Sequence, residues 1–262
     1  MTGSLDGTPA RWRPLWLGQQ EYELVHELQE QLFEARKEQL IADTVLFVEH
    51  PAVITLGRGA RAEHVLLDET SRRAAGIALA ATGRGGDVTL HAPGQLVCYP
   101  ILELPEGRRD VRRYVRDLCE CMRRVAAEYG VSGGTLSDYV GLWVDADSPG
   151  DWPGEEAAVT PVKIGAIGVR LSRWVTMHGF ALNLTTDLSL FRSIVPCGIQ
   201  QHGVGSVQTL SGVAPSVRSA AELAVHHLGR IFDLPPSNLE DARLDRVRGE
   251  LLRTEPTAHP SP

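Results

Sequence analysis

The sequence predicts an α+β fold in which helices flank a mixed β-sheet. Short β-branched runs and amphipathic helical stretches share the chain, without the regular alternation that a doubly wound parallel sheet requires. No internal repeat, low-complexity core segment or linker divides the sequence into two parts. We therefore expect a single folded domain over residues 16–253, with flexible ends at residues 1–15 and 254–262.

The individual elements follow from periodicity along the chain. Apolar residues that recur every three or four positions predict helices over residues 19–41, 68–75, 110–129, 216–232 and 238–252. Short apolar or β-branched runs predict strands over residues 44–50, 52–57, 77–82, 96–104, 140–144, 163–172 and 174–184. The last two strands are expected to form a hairpin around Ser172 and Arg173.

Composition excludes several classes of protein. The net charge of −7 argues against a general nucleic-acid-binding protein. No stretch approaches the roughly 20 consecutive apolar residues of a membrane helix, and the N-terminus lacks the apolar core of a secretory signal. Four cysteines without regular spacing do not make a disulfide framework. We therefore expect a cytoplasmic protein that associates with neither nucleic acid nor membrane.

A glycine-rich loop over residues 83–95, GRGGDVTLHAPGQ, is expected between two strands. It lacks the Gly-Lys-Ser/Thr ending of a phosphate-binding loop, and no helix follows it as in a dinucleotide-binding fingerprint. Glycines allow a ligand to approach the backbone closely, and Arg84 and His91 at the edges favour a binding loop. From the glycine content alone, a long hairpin turn is the preferred interpretation.

Cys197 is the cysteine that the pattern singles out. It lies between Pro196 and Gly198 after an apolar run, where a turn can expose a thiol to a substrate. A small apolar residue that fills a turn is the simpler alternative. Cys119 and Cys121 face different directions on a helix, so they cannot chelate one metal ion together.

Lysine is rare in this chain, since only Lys37 and Lys163 are found among 26 basic residues. Lys163 lies among apolar and small residues in TPVKIGAIGV. A partly buried lysine can lose its proton near neutral pH, which an arginine cannot do. The alternative is a lysine stem that lies along a strand with its ammonium group in water.

An arginine-rich strip runs along the helix predicted from Asp110. It suggests either an ordinary solvated helix face or a docking surface for an acidic partner protein. Its members are Arg108, Arg109, Arg112, Arg113, Arg116, Arg123 and Arg124.

Five ordered motifs together resemble the lipoyl(octanoyl) transferases, which move octanoyl from acyl carrier protein to lipoyl domains. The motifs are EHPAVITLGR, RGGDVTLHAPGQLVCYPI, KIGAIGVRLS, HGFALNL and IVPCGI, between about Thr44 and Ser211. One departure is Ala92, where the family pattern usually has glycine; its methyl group could narrow the loop. The resemblance implies the α/β fold that biotin protein ligases and lipoate ligases share, a class II synthetase-like catalytic domain.

The resemblance also assigns roles to residues. Cys197 corresponds to the family's nucleophile and Lys163 to its partner lysine, which serves as acid and base. The donor is octanoyl-acyl carrier protein, and the acceptors are lipoyl domains of 2-oxoacid dehydrogenase E2 subunits and the glycine cleavage H protein. No cofactor and no metal are implied. The acyl-binding positions map onto Arg84, Gly85, Gly86, Asp87, Val88, Thr89, Leu90, His91, Ala166, Ile167, Gly168, Gly179, Phe180 and Ala181.

Two other functions remain open at this stage. An ATP-dependent lipoate or biotin protein ligase would activate a free acid, and a requirement for ATP and Mg²⁺ distinguishes it from a transferase. A non-catalytic acyl-carrier-binding module on the same fold would keep its function when Cys197 is replaced by serine.

Overall fold

The computed structural model describes residues 12–195 and 202–253, which form two β-sheets and six α-helices. The strands are β1 Arg13–Gln19, β2 Thr44–Glu49, β3 Val53–Leu56, β4 Ala78–Ala81, β5 Val88–His91, β6 Gln95–Ile101, β7 Leu142–Asp145, β8 Pro161–Ser172, β9 Val175–Asn183, β10 Gly203–Val204 and β11 Glu240–Asp241. The helices are α1 Tyr22–Lys37, α2 Glu69–Ala74, α3 Val111–Ala127, α4 Val207–Ser211, α5 Val217–Phe232 and α6 Leu244–Leu252.

The larger sheet is mixed, as the sequence predicts. Its strand order is β10-β8-β9-β6-β2-β1-β11, and β7 pairs with residues 161–165 of β8, whose pairing with β9 begins at Gly165. The central pairs β2–β6, β6–β9 and β8–β9 are antiparallel, whereas β1–β2, β1–β11 and β8–β10 are parallel. A smaller sheet has the order β4-β3-β5. The predicted α+β class is confirmed.

The larger sheet is buried on both faces. On β2, Val45 and Phe47 pack in a core with α3 and α5, while Leu46 and Val48 pack in a second core with α1. Successive side chains of a strand point to opposite faces, so this continuous apolar run contributes to both cores. No helix in the described part of the chain is long and apolar enough to cross a bilayer.

The β8–β9 hairpin positions much of the site. Arg173 and Trp174 form its two-residue turn, with φ of 49° and 63°. Two successive positive φ values are the geometry of a tight turn that matches the twist of paired strands. The hairpin places Gly168 opposite Gly179 and continues to the far end of β9.

Several boundaries differ from the sequence expectations. Residues 44–50 and 52–57 do form strands, but they enter different sheets, because the chain turns at Pro51. The segment 83–95 is not a continuous loop, since β5 lies within it and pairs with β3. β1 was not expected; it begins at Arg13, ahead of the predicted domain start at residue 16, and is held by parallel pairing with β2.

Candidate active site

A cleft lies between the smaller sheet and the β8–β9 hairpin. Its volume is about 470 Å³, counting the open mouth. Helix α1 and strand β6 complete its wall. The lining residues are Tyr22, Arg84, Gly86, Thr89, His91, Tyr99, Ala166, Ile167, Gly168, His178, Gly179, Phe180 and Ala181.

Ten predicted acyl-binding positions line this cleft, and four do not. The four are Gly85, Asp87, Val88 and Leu90. Val88 and Leu90 are fully buried in a core beside the smaller sheet, because alternate residues of β5 point away from the cleft. The intervening Thr89 and the terminal His91 point toward it.

The glycines of the hairpin allow neighbouring groups to pack closely against the cleft wall. A Cβ on Gly179 would lie 2.2 Å from the carbonyl oxygen of Cys98. A Cβ on Gly168 would lie 3.0 Å from Cδ of Arg84. The small residues that the sequence shows here are therefore required for the close approach of β6 and of the arginine side chain.

Arg84 is a buried cation in the cleft wall, with 7% of the residue exposed. Its Nη2 donates to the carbonyl oxygen of Thr55 at 2.6 Å and to Oγ1 of the same residue at 3.0 Å. Nη1 donates to the carbonyl of Gly85 at 3.1 Å. These bonds to backbone and hydroxyl oxygens fix the guanidinium group in the cleft wall.

His91, His178 and two tyrosines line another part of the wall, and His50 packs against His91 and Tyr99 from behind. His50 Nδ1 lies 2.7 Å from the carbonyl of Gln20, and its Nε2 lies 2.9 Å from Oη of Tyr99. Burial lowers the pKa of His50 to about 4 and those of His91 and His178 to about 3. All three rings are therefore uncharged at neutral pH, so they add no charge to that of Arg84.

Sequence reasoning missed three lining residues, Tyr22, Tyr99 and His178. They come from α1, β6 and β9, and the rings of Tyr22 and His91 stack with centroids 6.0 Å apart. His178 directly precedes Gly179, a predicted acyl-binding position. This neighbour was the one feature of the sequence that could have identified His178 as a lining residue. The tyrosines meet the cleft through tertiary packing, which periodicity does not report.

Lys163 is buried in β8, with 7% of the residue exposed. Its Nζ lies over the Trp143 ring, 5.6 Å from the ring centroid. Gly141 leaves room for the lysine stem, because a Cβ there would lie 2.5 Å from Cε of Lys163. The pKa of the nearby Cys119 thiol is raised to about 11 by burial, although the Lys163 charge acts against this rise.

Cys197 lies outside the described residues, so its predicted role is not tested by the structure. Before it, the backbone N–H of Val195 donates to the carbonyl of His64 at 2.8 Å. After it, the His202 ring packs on Trp143, with centroids 5.4 Å apart. Val204 then pairs with Lys163 across β10 and β8. Residues 202–204, which come after Cys197 in the sequence, therefore lie beside the buried lysine.

The other cysteines are poor nucleophiles. Cys98, Cys119 and Cys121 are free thiols, and burial raises the pKa of each. Within the described ranges, no group of three or more His, Cys, Asp or Glu side chains could hold a metal ion.

Comparison with known proteins agrees with the motif pattern. Residues 21–229 match the lipoyl protein ligase A/B catalytic domain. The chain belongs to this family. It is 46% identical to an octanoyltransferase of Solibacter usitatus over 229 residues, covering 86% of this chain and 96% of that protein. An octanoyltransferase of Myxococcus xanthus is 43% identical over 217 residues, covering 83% of this chain but 58% of its own length.

Solved structures of low sequence identity share the fold. A bipartite lipoate protein ligase from Thermoplasma acidophilum aligns with a TM-score of 0.66 at 14% identity, covering 92% of each chain. Lipoate-protein ligase A bound with ATP aligns with a TM-score of 0.64 at 15% identity, covering 94% of this chain and 95% of that one. The predicted family and fold are confirmed.

The departure at Ala92 has a structural explanation. Ala92 is 1% exposed and packs in the core of the smaller sheet with Ile54 and Leu90. Its methyl group therefore points into this core, and Ala92 is not among the residues that line the cleft.

Proposed function

We propose that this chain transfers an octanoyl group from an acyl carrier protein to lysine side chains of lipoyl domains, through a thioester on Cys197. The observation that carries the proposal is a buried lysine on the strand that walls the cleft. Lys163 precedes the lining residues Ala166–Gly168 by three to five positions on β8. At about 3.3 Å per residue, the acyl chain would extend roughly 10–17 Å along this strand away from the lysine.

In the first half-reaction, the Cys197 thiolate attacks the donor thioester. A free thiol is only a few per cent ionised at pH 7, so it needs a base or a cation nearby. Lys163, in its neutral form, would take the thiol proton and return it to the departing phosphopantetheine thiolate. One thioester bond breaks as another forms, so the step needs no ATP.

In the second half-reaction, the amine of a lipoyl-domain lysine attacks the Cys197 thioester. Lys163 would remove a proton from the attacking amine and deliver it to the leaving Cys197 thiolate. The products are an octanoyl amide on the acceptor and a free Cys197 thiol. An arginine could supply the charge but could not carry the proton.

The cleft suits a neutral apolar chain. Its histidines are uncharged at neutral pH, as shown above, and Ala166, Ile167, Phe180 and Ala181 supply apolar contacts. Burial of an alkyl chain contributes about 0.8 kcal/mol per CH₂ group, and an octanoyl group therefore gains several kcal/mol. This gain would hold the acyl group in place between the two half-reactions.

The arginine strip offers a docking surface for an acidic carrier protein. Arg112 and Arg116 are exposed on α3. The same helix passes near Lys163, whose charge acts to lower the pKa of Cys119. Arg113 and Arg123 form ion pairs with carboxylates of the same helix. Arg112 and Arg116 are therefore the more available charges for a partner. The donor would then present its thioester to the Lys163 end of the cleft.

An ATP-dependent ligase is the competing function, because lipoate-protein ligase A shares the fold. Incubation of wild type with octanoyl-acyl carrier protein, without ATP, followed by intact-protein mass spectrometry separates the two. We expect one hydroxylamine-sensitive octanoyl increment on wild type and on the matched control Cys119→Ala, and none on Cys197→Ala. Activity that appears only with ATP and free octanoate would establish a ligase instead.

Lys163→Arg tests the proton-transfer role in the same assay. We expect thioester formation at pH 7 to slow by about 10²–10⁴-fold, the range for loss of a general acid or base. A near wild-type rate for this variant would exclude proton transfer by Lys163.

A further inference from the structure

Asp87 lies in the glycine-rich segment, but its carboxylate does not line the cleft. One carboxylate oxygen contacts Nδ1 of His64, and the other accepts the backbone N–H of Arg61 at 3.2 Å. The side chains of His64 and Asp87 are 15% and 16% exposed. A largely buried ion-pair or hydrogen-bond contact of this kind holds two segments in a fixed arrangement.

The backbone around His64 in turn holds the chain that leads to Cys197. The carbonyl of His64 accepts the N–H of Val195 at 2.8 Å, and Val65 forms an antiparallel bridge with Ile194. The N–H of Leu66 donates to the carbonyl of Ser193 at 2.8 Å. These bonds form a short ladder between residues 64–66 and 193–195, two residues before Cys197.

The backbone around Asp87 is tied to the cleft. The carbonyl of Asp87 accepts the N–H of Gly57 at 3.0 Å, and the carbonyl of Gly86 accepts that of Gly59 at 3.0 Å. Gly86 and Arg84 both line the cleft. One stretch of four residues therefore contributes to the cleft wall and, through the Asp87 side chain, to the ladder.

We propose that Asp87 and His64 are positioning residues that fix residues 193–195, which precede Cys197, relative to the acyl cleft. The inference rests on the proposed function, in which Cys197 must meet a thioester whose acyl chain is bound in that cleft. Displacements of about 1 Å in such a geometry reduce rates by up to about 100-fold. The pair touches neither the acyl group nor the reacting sulfur atoms, so it acts through placement.

Two near-isosteric replacements of His64 test the contact. Asn places its amide nitrogen near the position of Nδ1, so His64→Asn keeps a donor to Asp87, whereas His64→Gln places its nitrogen near Nε2. We expect His64→Gln to slow single-turnover acylation of Cys197 by 10- to 100-fold at saturating donor, with KM for the carrier unchanged. His64→Asn should keep most of the wild-type rate. Equal rates for the two variants would overturn the inference.

A double-mutant cycle supplies the second test. Asp87→Ala and His64→Ala should each slow acylation, and the double variant should be no slower than Asp87→Ala alone, because Asp87→Ala already removes the contact with His64. Multiplying effects would contradict a shared role. Glu69→Ala, which removes an exposed ion pair with Arg73, is the control. If wild type forms no thioester, the proposed function fails; if wild type reacts and all variants match it, only this inference fails.

Discussion

The histidines around the cleft should make the protein sensitive to mild acid. Burial lowers the pKa of His50 from 6.5 to about 4, and those of His91 and His178 from 6.5 to about 3. Between pH 4 and 6.5 the unfolded chain therefore binds protons that the folded chain does not. Stability must fall as the pH falls through this window.

The size of the effect follows from the width of the window. A pH of 5 is about 1.5 units below the pKa of histidine in the unfolded chain. At about 1.4 kcal/mol per unit, each of the three histidines then destabilises the fold by about 2 kcal/mol. The three together give about 6 kcal/mol, comparable with the whole stability of many domains. The pKa of Glu120 is lowered from 4.5 to about 2, chiefly by its hydrogen bond to Arg123, so its contribution changes in the same direction but mostly below pH 4.5.

Denaturant unfolding at pH 7.5 and pH 5.0 measures the difference directly. We expect the free energy of unfolding to fall by about 6 kcal/mol for wild type. His50→Asn should lower stability at pH 7.5 but reduce this fall by about one third, because one titrating ring is removed. His226→Asn, at an exposed histidine, is the matched control. Equal wild-type stability at the two pH values would refute the argument.

Three further predictions concern packing and docking. Gly179→Ala should lower Tm and, by forcing β6 and β9 apart beside the cleft, weaken octanoyl binding, since its methyl group would lie 2.2 Å from a backbone oxygen of β6. Gly107→Ala, in open space, should do neither. Arg112→Glu with Arg116→Glu should raise KM for the acyl carrier several-fold at low salt, with kcat retained; an unchanged KM would remove the strip from the docking model. Ala92→Gly should lower stability by about 1–2 kcal/mol in denaturant unfolding, because it deletes a buried methyl group and adds backbone freedom.

Local patterns predicted the strands that carry the site. The β8–β9 hairpin and the glycines facing each other in it follow from short apolar runs with small residues. The strand β5 was not predicted, because it has only four residues and lies within a glycine-rich segment. β1 was not predicted from the sequence because Pro14 weakens the strand pattern. In the structure β11 pairs only with Leu15 and Trp16, which follow this proline.

Contacts distant in sequence could not be predicted in this way. Tyr22 and His178 line one cleft although 156 residues separate them (178 − 22). The pairing of His64 with Asp87 is likewise a product of the fold, since neither residue belongs to a periodic pattern. Resemblance to a family placed Asp87 among the acyl-binding residues, whereas the structure turns its side chain toward His64.

The continuity of β8 has a consequence for chain-length selection. A single extended strand joins Lys163, the proposed acid and base, to the lining residues Ala166–Gly168, so the number of residues between them sets a fixed distance. An extended strand is already near its maximum length, and β8 is held by pairing with β7, β9 and β10. A preference for shorter or longer acyl groups would then depend on the size of the side chains that line the cleft. The distance from Lys163 to these residues along β8 would stay the same.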